Sequence, residues 1–290
     1  MDPRELKKTS FLIMSDTHNL ELHTSEPRKC PLANEMPKVD VLLHCGDLTQ
    51  VGGTSAFKNA LRLLGSFDAE LKLVIAGNHD LELDGQYWRD NLDMDDGPEE
   101  HDRAVALMTG PLAKAAGVTY LTEGTHHFTL KNGTRFSIFA SPHQPWCGEP
   151  WVFGYSRIDD HFGRANIPAG IDIMMTHGPP TGLLDYIPYQ KKGVGCDSLL
   201  NAVQTARPKL HCFGHIHEGH GHLLKTWEAR SPNRDTGKTA DVAISQAGMP
   251  GPAIETRQLN VGRETLMVNA AIMDGRNKPV NAPWLVELDL

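Results

Sequence analysis

Hydrophobic positions fall in short runs along this chain, and five of the runs stop abruptly at polar groups able to do chemistry. Residues 11–16 (FLIMSD), 39–45 (VDVLLHC), 71–76 (LKLVIA), 171–176 (IDIMMT) and 209–213 (KLHCF) are predicted strands, since unbroken apolar runs of this length suit strands covered on both faces. Phe57, Ala60, Leu61 and Leu64 repeat at helical spacing and predict a helix over 55–64, opened by Gly52-Gly53-Thr54. A second helix is expected over 104–116, broken or kinked at Gly110-Pro111, and a third over 198–206 with Asp197 as its cap. Residues 127–130 and 135–140 flank Lys131-Asn132-Gly133-Thr134 and read as a β-hairpin, while 264–269 and 284–288 read as closing strands.

The intervening stretches are predicted to be irregular. Residues 19–38 carry Pro27, Pro31 and Pro37 and read as a surface loop; 84–102 are acidic and read as a solvated loop leading into a helix. The segment 141–155 (SPHQPWCGEPWVFGY) combines prolines with aromatics and suits a loop rim over a pocket. Residues 228–262 are polar and rich in Gly, Pro, Ser and Thr, which predicts an insertion or flexible loop. There is no repeat of solenoid length, so one domain over 1–290 is the simplest organisation.

Composition narrows the choice of function. Forty per cent hydrophobic and 22% charged residues describe an ordinary globular protein, and a net charge of −8 argues against a nucleic-acid groove or an anionic membrane as partner. No apolar run reaches the length of a membrane span, and MDPRELKKTS lacks an apolar signal core, so a cytoplasmic location is expected. Five cysteines without a CxxC pair are read as reduced thiols. The sequence does not specify an oligomeric state.

The chemistry sits at the run ends: Asp16-x-His18, Gly46-Asp47, Gly77-Asn78-His79-Asp80, His177 and His215-x-His217. Residues two apart in extended chain point the same way, so Asp16 with His18, and His215 with His217, can each aim two groups at one spot. Carboxylates, imidazoles and one amide oxygen suit a mid-to-late first-row divalent ion better than calcium or a thiolate-bound zinc.

The order D-x-H, GD, GNHD, H, GHIH resembles the calcineurin-like metallophosphoesterase superfamily. HCGDLT, AGNHD, MMTHGPPTGLLDYIP, VGCDSLLNAVQ, LHCFGHIHEGHG and VNAPWLVELDL further resemble the metallophosphoesterase-domain-containing proteins of vertebrates and their fungal relatives. The resemblance implies an α/β, four-layer αββα sandwich of two mixed β-sheets flanked by helices. It implies two divalent metal ions, manganese first and iron, zinc or magnesium as alternatives. Asp16, His18 and His217 would hold one ion, Asn78, His177 and His215 the other, and Asp47 would bridge them. His79 would be the acid that protonates the leaving oxygen, with Asp80 orienting it; Asn78, His79 and His215 would meet substrate, while His143, which stands where those relatives tend to carry Trp, either contacts substrate or packs. The activity implied is hydrolysis of small phosphodiesters, cyclic nucleotides included, by a hydroxide shared between the ions. Two other outcomes stay open: a nucleotide-binding or scaffold protein with residual activity, and a phosphomonoesterase or protein phosphatase.

Other residues have ordinary readings beside functional ones. His44 and His211 are expected as core histidines bonded to neighbours, and His220 and His222 as exposed or supporting groups. Trp146, Trp151 and Phe153 offer faces to a nucleobase or close the core; Lys191 and Lys192 meet a phosphate or are solvated.

Overall fold

The computed structural model describes residues 6–21, 31–33, 35–91, 97, 99–148, 151–227, 239–247 and 255–290. In chain order the elements are β1 (Lys8–Met14), β2 (Val39–His44), α1 (Thr54–Gly65), β3 (Ala69–Val74), α2 (Gly85–Asp90), α3 (Glu100–Thr109), α4 (Pro111–Ala116), β4 (Val118–Tyr120) and β5 (Gly124–Thr129). There follow β6 (Arg135–Ser141), β7 (Gln144–Pro145), β8 (Gly154–Tyr155), α5 (His161–Arg164), β9 (Ile173–Thr176), β10 (Tyr186–Ile187), β11 (Lys192–Gly193), α6 (Asp197–Ala206) and β12 (Leu210–Phe213). The last five are β13 (Gly221–Thr226), β14 (Thr239–Gln246), β15 (Glu255–Asn260), β16 (Glu264–Asn269) and β17 (Trp284–Asp289).

Two mixed sheets face one another. The first runs β15-β14-β17-β1-β2-β3-β4 and the second β13-β16-β12-β9-β6-β5. Strands β1 to β4 are parallel, as are β6, β9, β12 and β16, while the flanking strands are antiparallel. The period of two in each central strand explains the layering. Phe11, Ile13, Val41, Leu43 and Leu73 point inward to meet Ile138, Ile173, Met175, Leu210 and Val268 of the other sheet. Leu12, Met14, Leu42 and Val74 point outward and are covered by Phe57, Leu61 and Leu64 of α1 with Met108 of α3. Met174 and Phe213 pack outward on Leu199 and Val203 of α6. Helix, sheet, sheet and helix therefore stack as four layers.

Burial on both faces is why the central strands read so plainly in sequence. The helix pair α3 and α4 breaks at Gly110, with Pro111 at the first position of α4, where its missing N–H costs nothing. Helix α6 is capped by Cys196, whose Sγ accepts from the Leu199 N–H, and Asp197 is its first helical residue rather than the cap.

Four departures from the sequence reading stand out. The acidic stretch contains the short helix α2, capped by Asp84. Residues 118–120 form β4, and 221–226 form β13 directly after the last histidine motif. Within 228–262, residues 239–246 and 255–260 are strands that extend the first sheet from β17 outward, so this region is not a loop throughout. Ala240, Val242 and Ile244 alternate inward there, a signal masked by the surrounding Gly, Pro and Ser. Residues 228–238 and 248–254 lie outside the described residues, as do 22–30 and 34 of the first loop, 92–96 and 98 of the acidic stretch, and 149–150 of the aromatic one.

Candidate metal centre

The carboxyl ends of β1, β2 and β3 in one sheet and β9 and β12 in the other open onto a shared cleft. Each end turns sharply, and the turn is what brings a ligand inward. Asp16, His18, Asp47 and His215 all take positive φ, at 55°, 42°, 54° and 66°. Such backbone is uncommon for residues other than glycine, is best tolerated by aspartate, asparagine and histidine, and clusters where geometry is fixed for function. Gly77 meets a different demand: a Cβ there would lie 2.3 Å from Asp47 Oδ1 and 2.6 Å from His177 Cε1. Only a residue with no side chain lets β3 pass this close to the carboxylate.

The seven residues expected to hold metal converge in space. Asp16, His18 and His217 bring ligand atoms within 4.8 Å of one another, as do Asp47, His177 and His215, and Asp47 also groups with His18 and His79. His177 Nε2 lies 2.9 Å from Asn78 Oδ1 and 3.4 Å from Asp47 Oδ1, while His18 Nε2 is 3.6 Å from Asp47 Oδ2. His217 Nε2 is 3.5 Å from Asp16 Oδ1.

The imidazoles are aimed by their far nitrogens. His18 Nδ1 donates to the Thr49 carbonyl at 3.2 Å, His177 Nδ1 to Cys45 at 2.9 Å and His217 Nδ1 to Asp274 at 3.1 Å. Each bond fixes the tautomer and turns Nε2 into the cleft, the arrangement typical of metal-ligating histidines. Backbone carbonyls carry no residue-type signal, so nothing in the sequence announced these three tethers.

Electrostatics favour cations here. Asp16 and Asp47 are buried at 0% and 1% exposure. Burial would raise both carboxyls, yet the charge and hydrogen bonding of neighbouring histidines hold them below the ordinary value, His217 for Asp16 and His177 for Asp47. Burial would likewise discharge the imidazoles; beside these carboxylates His177 and His217 are instead lifted to about 9. His215 is pushed down to about 3 by burial and by the neighbouring His177, and so stays neutral. Two buried carboxylates, neutral-capable imidazoles and an amide oxygen fit a pair of divalent ions.

His79 stands beside this cluster, its ring centroid 4.6 Å from that of His18. Its Nδ1 donates to the Gln50 carbonyl at 2.6 Å, so the orienting contact comes from Gln50 and not from Asp80. Asp80 is buried and accepts instead from the N–H groups of Leu48, Thr49 and Gly77 and from Thr49 Oγ1, at 3.2, 2.9, 2.9 and 2.9 Å. Three backbone donors at the ligand turns require an acceptor there, and burial together with the neighbouring Asp47 raises the Asp80 carboxyl to about 7 despite those bonds. Trp151 lies against His79 with ring centroids 3.7 Å apart, and the loop bearing it is pinned by the Val152 N–H to the Asn78 carbonyl.

The cleft encloses about 300 Å³, and its walls include Asp47, Asn78, His79, Trp151, Tyr189 and His215. His143 is not part of that wall; it turns to Glu123 and His161. His44 and His211 sit in the core, bonded to Thr17 and Thr176 at 3.0 and 2.8 Å. His220, just ahead of β13, and His222 within it pack on the buried Trp284 ring, each with centroids 5.0 Å away. Phe153 is buried, Trp146 is 57% exposed, and Lys191 and Lys192 are exposed.

Comparison with known proteins agrees with this geometry. The calcineurin-like phosphoesterase model matches residues 9–219. The chain is 38% identical over 230 residues to human metallophosphoesterase domain-containing protein 1, covering 76% of this chain and 64% of that protein's length. It is 34% identical over 226 residues to the UPF0046 protein C25E10.12 of Caenorhabditis elegans, covering 74% of this chain and 70% of the relative. Among solved structures, the phosphopantetheinyl hydrolase of Mycobacterium tuberculosis aligns at 15% identity and a TM-score of 0.44, over 76% of this chain and 86% of that one. The chain spans about two thirds of the length of the human relative, and with the family model matching residues 9–219 it belongs to the calcineurin-like phosphoesterase family.

Proposed function

We propose that this protein hydrolyses small phosphodiesters, cyclic nucleotides among them, with manganese as its working ion. The observation that carries the reading is His79, an imidazole at the edge of the metal cluster tethered through Nδ1, with no hydrogen bond to Nε2 among the described residues. Asp16, His18 and His217 would hold one ion and Asn78, His177 and His215 the other, with Asp47 shared between them. Two ions bound there supply Lewis acidity and turn a field that repels phosphate into one that attracts it. Asn78 leaves the site one negative charge poorer than aspartate would, which preserves that attraction. His79 Nε2 delivers a proton to the departing oxygen; a group so placed typically contributes ~10²–10⁴-fold, most of all for poor leaving groups.

A cleft of about 300 Å³ suits a small ligand and is tight for a segment of folded protein. Trp151 and Tyr189 give its wall aromatic surface of the kind that accepts any nucleobase. Four cysteines, Cys45, Cys147, Cys196 and Cys212, are free thiols, which supports a cytoplasmic setting. No helix of the described residues is long and apolar enough to cross a membrane.

The test is turnover of purified protein with added manganese on a cyclic nucleotide, a dialkyl phosphate diester and the matching monoester, followed by ³¹P NMR. Faster diester cleavage is expected. Preference for the monoester, or tight nucleotide binding without cleavage while two metals per chain are bound, overturns the reading.

A further inference from the structure

Away from the cleft wall, a second set of metal-binding side chains closes on a single point. Glu123, just ahead of β5, His143, between β6 and β7, and His161, the first residue of α5, bring ligand atoms within 4.8 Å of one another. Glu123 Oε2 lies 3.0 Å from His143 Nδ1, 2.8 Å from His161 Nε2 and 2.5 Å from Ser141 Oγ. Three polar groups thus crowd one oxygen that offers two lone pairs. The two imidazoles lie with centroids 4.6 Å apart at 40°, both nitrogens turned inward. Tyr155 stacks on His161 at 4.6 Å and 11°, with its hydroxyl anchored on Cys196 Sγ at 2.9 Å, so the ring is held in orientation.

We propose that Glu123, His143 and His161 form a separate site for one divalent ion of the zinc class. Two imidazoles and a carboxylate are a standard three-residue set for zinc, with the fourth position left to water. The nitrogen–oxygen separations are a few tenths of an ångström short of the spacing between ligands around a tetrahedral ion with bonds near 2.0–2.2 Å, so small rotations open the site. Glu123 and His143 keep about a third of their side-chain surface exposed, at 29% and 30%, which gives an ion and its water a way in. The three ligands come from separate segments, and an ion there clips α5 and the aromatic loop to the second sheet. The site does not depend on the phosphoesterase reading.

Zinc content after equilibrium dialysis tests it, with wild type compared against His161→Phe, which keeps a ring for Tyr155, and Glu123→Gln, which keeps size and removes charge. Each variant is expected to bind one zinc fewer per chain than wild type, in the native background and equally in an Asp47→Ala background where the cleft is impaired. Cobalt-substituted wild type is expected to show ligand-field bands that both variants lose in part, with manganese-supported turnover unchanged. Equal zinc counts in wild type and both variants would overturn the proposal and leave the cluster as a hydrogen-bonded node. Should His161→Phe fail to fold, Glu123→Gln alone decides.

Discussion

His18 and His217 face each other across the metal centre with their Nε2 atoms 3.2 Å apart. Each ring has committed its Nδ1 hydrogen outward, to Thr49 and Asp274, so two nitrogen lone pairs converge. Without a metal, a proton lifted onto His217 by Asp16 relieves them; a divalent ion does so better. Manganese at a hundredfold excess over its dissociation constant is therefore expected to stabilise the fold by about 2.7 kcal/mol per site. His217→Ala should lose most of the gain contributed by that ion, as read from thermal unfolding with and without manganese; an undiminished shift would remove His217 from the ligand set.

The tethered His79 predicts a leaving-group signature. His79→Ala should slow a dialkyl diester by ~10²–10⁴-fold and a nitrophenyl ester far less, since the latter departs without a proton. Steady-state rates on the two substrates decide it, and equal losses argue against proton donation.

Asp80 predicts a structural phenotype instead. Asp80→Ala strands the N–H groups of Leu48, Thr49 and Gly77 in the interior, at about 1–3 kcal/mol for each buried group left unpaired. Loss of several kcal/mol in urea unfolding is expected, with a smaller loss for Asp80→Asn. If stability is unchanged while turnover alone falls, Asp80 acts on the chemistry.

Buried His211 predicts a pH dependence. Desolvation alone holds it down to about 3, against an ordinary 6.5, so the unfolded chain takes up a proton that the folded chain refuses. Its contribution is complete above 6.5 and erodes as pH falls towards 3, by about 1.4 kcal/mol per pH unit. Between pH 6.5 and 5 wild type should lose roughly 2 kcal/mol that His211→Gln does not lose, measured by urea unfolding at both pH values.

Most of the metal centre was legible because its ligands follow strands buried on both faces: an apolar run such as FLIM or IMMT cannot be mistaken, and what ends it is conspicuous. Strands β13, β14 and β15 were not legible: β13 and β15 are edge strands, and the alternation of β14, which lies between β15 and β17, is diluted by polar residues. Partners that are backbone groups left no trace either. Gln50 as the anchor of His79 emerges only once β2 and β3 lie side by side. His143 shows the converse: SPHQPW left substrate contact and packing both open, and Glu123 and His161, both remote in sequence, draw it away from the cleft wall.

Left-handed backbone at Asp16, His18, Asp47 and His215 has a consequence for anyone reading substitutions at these positions. Aspartate, asparagine and histidine tolerate that conformation, whereas valine, threonine or isoleucine would have to unwind the turn. A saturation library there would mix two defects, lost chemistry and a refolded loop, in nearly every member. Asparagine at 16 or 47 keeps the turn and removes the charge, and is the replacement that isolates what the carboxylate does.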